Sequence, residues 1–135
     1  MHHTQRLVFV IVLLLSLAAC AQPQPQPPLP EVQLTEDEVG QTVELAVGQV
    51  LAITLPSNPS TGYAWQFIAG DDAIIAQQGE AEYVQGANMP GAGGMETLRF
   101  TAQGAGTTML TIGYKRPFEP DEMPVRSFTV EVVIR

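Results

Sequence analysis

The chain of 135 residues carries 14 acidic side chains against six basic ones, a formal charge of −8, with 45% hydrophobic and 15% charged residues. That balance leaves no basic stripe able to neutralise phosphates, which excludes nucleic acid as a partner. A single cysteine, Cys20, excludes an intrachain disulfide.

The chain opens on a targeting pattern. Leu7 to Ala19 is an unbroken run of apolar and small side chains behind Arg6, too short to span a bilayer comfortably, and reads as the core of a secretory signal peptide over residues 1–19. It closes on Leu17-Ala18-Ala19-Cys20, which resembles the lipobox of bacterial lipoproteins, where small residues fit the peptidase and the thiol receives the lipid. In that resemblance Ala21, where an Asp would retain the chain, is compatible with outer-membrane sorting. The expectation is export and lipid anchoring to a bacterial cell envelope through Cys20. Cleavage removes His2, His3 and Arg6, leaving five basic against 14 acidic side chains, a net −9. Without histidine, and with its cysteine acylated, the mature chain cannot hold a Ser-His-Asp triad, a Cys-His pair or the common zinc sites.

Residues 20–31 then form the lipidated Cys20 and a Pro/Gln-rich linker, AQPQPQPPLPE, with no apolar face to bury; composition reads equally as an extended spacer or as a disordered pro-segment without a mechanical role. Residues 32–135 are enough for one domain that builds its core without disulfides. Helical periodicity is absent. Short β-branched and aromatic runs recur at intervals of about ten residues, punctuated by Gly, Pro, Asp and Asn. The predicted strands are an entry segment through Val32-Gln33-Leu34 and Val43, Leu45, Val47, followed by Val50–Leu55, Tyr63–Ile68, Ala73–Val84 interrupted by Gly79, Glu96–Ala102, Thr107–Lys115 and Val125–Ile134. This pattern predicts an all-β, immunoglobulin-like antiparallel sandwich of about seven strands. Alternation places Leu51, Ile53, Trp65, Phe67, Leu98, Phe100, Leu110, Ile112, Phe128 and Val130 in its core.

In an antiparallel sandwich every second connection emerges at the same end. Counting from Val50–Leu55, the first, third and fifth connections therefore share one end, provided that Gly79 marks a bulge and not a full hairpin. The first, Ser57–Gly62, carries the run Asn58-Pro59-Ser60-Thr61-Gly62-Tyr63, shaped by a fixed proline φ, a permissive glycine and local side-chain hydrogen bonds. The third holds Pro90-Gly91-Ala92-Gly93-Gly94, whose missing side chains would let a partner approach the backbone. The fifth holds Arg116-Pro117-Phe118-Glu119-Pro120, an arginine and an aromatic held among prolines; Phe118 reads equally as an interface residue or as a lid on the core.

Taken together, NPSTGY followed by Trp65, then GAGG, then RPF resembles the chagasin family of cysteine peptidase inhibitors, over the whole folded domain. The resemblance implies an immunoglobulin-like sandwich whose three loops form a wedge in the active-site cleft of a papain-like cysteine peptidase. It implies that Asn58, Pro59, Ser60, Thr61, Gly62 and Tyr63 cover the catalytic cysteine with Thr61 deepest. Gly91, Gly93 and Gly94 would lie along the substrate cleft by backbone contact, and Arg116, Pro117 and Phe118 on the opposite flank. Family members commonly have Trp where this chain has Phe118, which offers less area and no indole donor.

The expected mode is reversible, non-covalent obstruction, by a monomer that needs no cofactor and no metal. Ser57, Ser60 and Ser127 have no evident base, so no enzyme is expected. Calcium at Glu119, Asp121 and Glu122 or at Asp71-Asp72 is disfavoured by the irregular oxygen spacing. Residue reading alone leaves a second function open, a membrane-tethered immunoglobulin-like module that binds a non-peptidase partner.

Overall fold

A computed structural model describes residues 23–135. Residues 1–19, expected as a signal peptide, and Cys20 lie outside the described residues. Among the described residues nine strands make two sheets: β1 (Val32–Leu34), β2 (Thr42–Leu45), β3 (Val50–Ser57), β4 (Ala64–Ala69), β5 (Ile75–Gln77), β6 (Glu82–Gln85), β7 (Gly94–Ala102), β8 (Gly106–Lys115) and β9 (Arg126–Ile134). One sheet runs β1-β3-β7-β5 with β6 also on β7, and the other runs β2-β9-β8-β4.

The architecture differs in two places from the expected seven antiparallel strands. The entry segment is two strands, because the chain changes sheets. β1 pairs parallel with β3 and β2 pairs parallel with β9. Between them Glu36–Glu38 forms a 3-10 turn capped by Thr35, whose backbone N–H and hydroxyl both donate to the Glu38 carboxylate at 2.6 and 2.9 Å. Val47, predicted within this entry strand, falls beyond it and is exposed. The second difference lies at Gly79, which sits at φ +66° in a bulge between β5 and β6. Both strands run antiparallel along β7, with Gln77 opposite Phe100 and Glu82 opposite Thr97, so the four residues 78–81 face the two residues 98–99 and direction is kept. The parity of the later loops survives.

The predicted core is found where alternation places it. Leu51, Ile53, Leu98, Phe100, Leu110 and Ile112 have no exposed surface, and Trp65, Phe128 and Val130 are buried. Burial of each such side chain contributes roughly 1.5–3 kcal/mol. Phe67 is the exception, half-buried at the open edge of β4, where its ring leans on Phe100 at 6.2 Å.

Register sets the end from which each loop emerges. Ser57 lies opposite Gly94, Gln85 opposite Gly94, and Ala64 opposite Lys115. The connections 58–63, 86–93 and 116–125 therefore leave the sandwich together. The chain enters at the other end, where Val32 pairs with Leu51 at the start of β3. There Glu31 bridges to Arg99 at 3.2 Å and the Gln49 side-chain amide donates to the Pro30 carbonyl at 2.8 Å.

Candidate functional site

Asn58 organises the first loop. Its carbonyl accepts from the Thr61 hydroxyl at 2.6 Å, and its Oδ1 accepts from the backbone N–H and hydroxyl of Ser60. Pro59–Thr61 becomes a single 3-10 turn, closed by Gly62 at φ +80°, a conformation that suits glycine. Pro59, Ser60 and Thr61 are exposed at its crest, and the loop carries no charge.

The flanking loops are joined to it. On one side Asn58 Nδ2 donates to the Gly91 carbonyl at 3.1 Å. On the other, Gly62 faces the Phe118 ring, where a Cβ would stand 3.4 Å from its edge. Arg116 lies 4.8 Å from the Tyr63 ring centroid and pairs with Glu119 at 3.2 Å; the Glu119 hydrogen bond keeps its guanidinium above the usual arginine range. Lys115, itself buried, donates to the Pro120 carbonyl at 2.7 Å and braces this loop from within. Phe118 is 69% exposed, so it is not a lid on the core, and Pro117 is exposed beside it.

The three glycines serve different needs. Gly91 sits at φ +75° with open space around it. Gly93 packs 3.3 Å from the Ser57 carbonyl by its would-be Cβ, which keeps this loop against the first. Gly94 has no room because its own neighbour crowds it: a Cβ there would fall 2.1 Å from the Val84 carbonyl. Its missing side chain is therefore demanded by β6, whatever else approaches.

Beneath the loops lies a stack that the sequence did not reveal. Tyr63 stacks on Tyr114 at 5.5 Å, and Tyr114 lies 5.1 Å from Trp65. Arg126 covers Tyr114 at 4.3 Å and Trp65 at 5.2 Å. The Pro56 carbonyl accepts from both Trp65 Nε1 and Arg126, at 3.0 and 3.1 Å, and the Tyr114 hydroxyl accepts from the Asn58 backbone N–H at 2.9 Å. The buried Glu96 carboxylate takes the Trp65 backbone N–H at 3.3 Å. Tyr114, Arg126 and Glu96 thus position the first loop; of the stack only Trp65, as core, and Tyr63, as part of the first loop, were legible.

Among the described residues no group of three acidic, His or Cys side chains is placed to hold a metal ion. Glu119 is engaged by Arg116, and Asp71 Oδ1 accepts from the Ala73 N–H at 2.9 Å.

A β-sandwich that presents a rigid, uncharged crest between two braced flanking loops, over an aromatic stack, has the shape of a protein that fills another protein's groove. Residues 44–132 match the Chagasin family peptidase inhibitor I42. Amoebiasin-2 of Entamoeba histolytica is 34% identical over 103 residues, covering 76% of this chain and 84% of the relative. Chagasin of Trypanosoma cruzi is 32% identical over 103 residues, covering 73% of this chain and 93% of chagasin. The crystal structure of a cysteine protease inhibitor from Entamoeba histolytica superposes with a TM-score of 0.68 at 31% identity, over 82% of this chain and all of that one. The chain belongs to the chagasin family of cysteine peptidase inhibitors, and is an inhibitor, not an enzyme.

Proposed function

We propose that this domain inhibits papain-like cysteine peptidases reversibly and without covalent chemistry, by seating the Pro59–Thr61 crest over the catalytic cysteine. The bridging of all three loops through Asn58 and Gly62 carries this reading. Loops already ordered lose little further entropy on binding, which favours tight association. An uncharged crest also avoids placing an unpaired carboxylate in a dry cleft. Gly91, Gly93 and Gly94 lie along one wall of the cleft by backbone contact, and Arg116, Pro117 and Phe118 against the other. An interface of about 1,600 Å² is the usual size for a protease and its inhibitor.

The chain reaches this site from a membrane tether. Cys20 carries lipid, residues 20–31 act as the spacer, and the domain from 32 onwards acts as a monomer at the surface of a bacterial envelope membrane. What supports this reading is the lipobox-like end of the leader, together with the entry of the chain at the end of the sandwich opposite the loops. A tether there points the wedge outward.

The test is to form the complex with papain, dilute it, and follow the return of activity. Full recovery, with both chains at unaltered intact mass, is expected. A covalent adduct or a cleaved loop would refute obstruction. For the tether, metabolic labelling with a fatty-acid analogue should mark the wild-type chain and not Cys20→Ser.

A further inference from the structure

Beyond the loops, an apolar row continues down the outer face of the first sheet. Met95 lies opposite both Val84 on β6 and Pro56 on β3, and paired residues share a face, so Val84, Met95 and Pro56 form a row across three strands. Val84 is 60% and Met95 40% exposed. Met89, in the connection just above, is 65% exposed, its carbonyl held by the Gln85 side chain at 3.2 Å. Arg126 borders the row, donating to the Pro56 carbonyl at 3.1 Å, and further down the sheet stand Arg99 and Glu82, paired with each other at 2.9 Å. This row begins at the glycine loop itself, since Gly94 precedes Met95.

We propose that Val84, Met89 and Met95 form a second contact area for the same peptidase, covering an apolar patch of its surface beside the cleft. This rests on the cleft-blocking reading above. The occupant is the peptidase because the row is continuous with the glycine loop: an enzyme wall that receives Gly91 and Gly93 extends over Met95. Methionine suits the role, since its flexible, polarisable side chain adapts to differing partner surfaces. Such a contact slows dissociation more than it speeds encounter.

The test is hydroxyl-radical footprinting of the free domain and of its complex with papain. Met89 and Met95 should lose most of their oxidation in the complex. Met109, 52% exposed on the other sheet, should keep its own. Val84→Thr with Met95→Thr should raise the inhibition constant about tenfold, mainly through faster dissociation, with the melting temperature unchanged. A complex that forms while Met95 oxidises as in the free domain would overturn this contact and leave the wedge intact. Failure of the wild-type domain to inhibit at all would overturn both. Shielding of Met89 and Met95 already in the free domain at high concentration would assign the surface to a second copy of the chain instead.

Discussion

Asn58 and Gly91 are joined side chain to backbone, Nδ2 to carbonyl, at 3.1 Å, while Oδ1 of the same amide holds Ser60. One amide group therefore shapes the crest and ties it to the glycine loop. Asn58→Asp keeps the acceptor, removes the donor and puts a carboxylate into the uncharged crest. Its expected effect is inhibition weakened about tenfold, or about 1.4 kcal/mol, with a melting temperature close to wild type. Asn58→Ala removes both and should also lose about 1 kcal/mol of stability as a lost cap. Inhibition kinetics and thermal melts of the two variants separate these roles.

Thr61 is exposed at the crest and bonded only to its own loop, through the Asn58 carbonyl. Thr61→Arg should abolish or greatly weaken inhibition of papain while leaving the circular dichroism spectrum unaltered. Unchanged inhibition would remove Thr61 as the deepest contact.

Phe118 touches Gly62 and is otherwise largely open to water. Phe118→Ala is expected to change unfolding free energy by less than about 0.5 kcal/mol, as for a surface position. Inhibition should weaken by less than for Thr61→Arg. Phe118→Trp, which restores the residue common in the family, should tighten it.

Tyr114 links the core to the crest, stacking on Tyr63 and accepting from the Asn58 N–H at 2.9 Å. Tyr114→Phe retains the ring and strands that N–H, which should cost about 1 kcal/mol in a urea melt. The off-rate from papain should rise, because the crest is then less rigid before binding.

Glu38, hydrogen-bonded first by the Thr35 backbone and then by its hydroxyl, has its carboxyl held below the usual value of 4.5. A carboxylate with a depressed folded pKa contributes stability that is present above its unfolded pKa and is lost as pH falls through the folded value. The urea midpoints of wild type and Glu38→Gln should therefore differ at pH 7 and converge only as pH falls past the ordinary glutamate value through the lower folded one.

The legible part of the fold was its alternation. Leu51, Ile53, Leu98 and Phe100 follow a period of two, and a β-strand must turn every second side chain to the same face. The grouping of the loops was legible for the same reason, since strand direction reverses at each hairpin and the Gly79 bulge keeps it. The parallel pairings of β1 and β2 were hidden, because a change of sheet depends on a distant partner and not on local pattern. So was the site's foundation. Tyr114 looks like any aromatic at a strand end, and Arg126 like a solvated cation; only the fold brings both against Trp65 and Pro56. A second demand on Gly94 was hidden as well: the Val84 carbonyl leaves no room there for a Cβ.

The most direct measurement is titration of the soluble domain, from Glu31 onward, against active-site-titrated papain and a cathepsin L-like peptidase, with trypsin as the control. Stoichiometric loss of cysteine peptidase activity, trypsin untouched and the Thr61→Arg domain inactive, is the predicted result. A folded domain that leaves both cysteine peptidases fully active, or that inhibits equally well with arginine at the crest, would contradict the account.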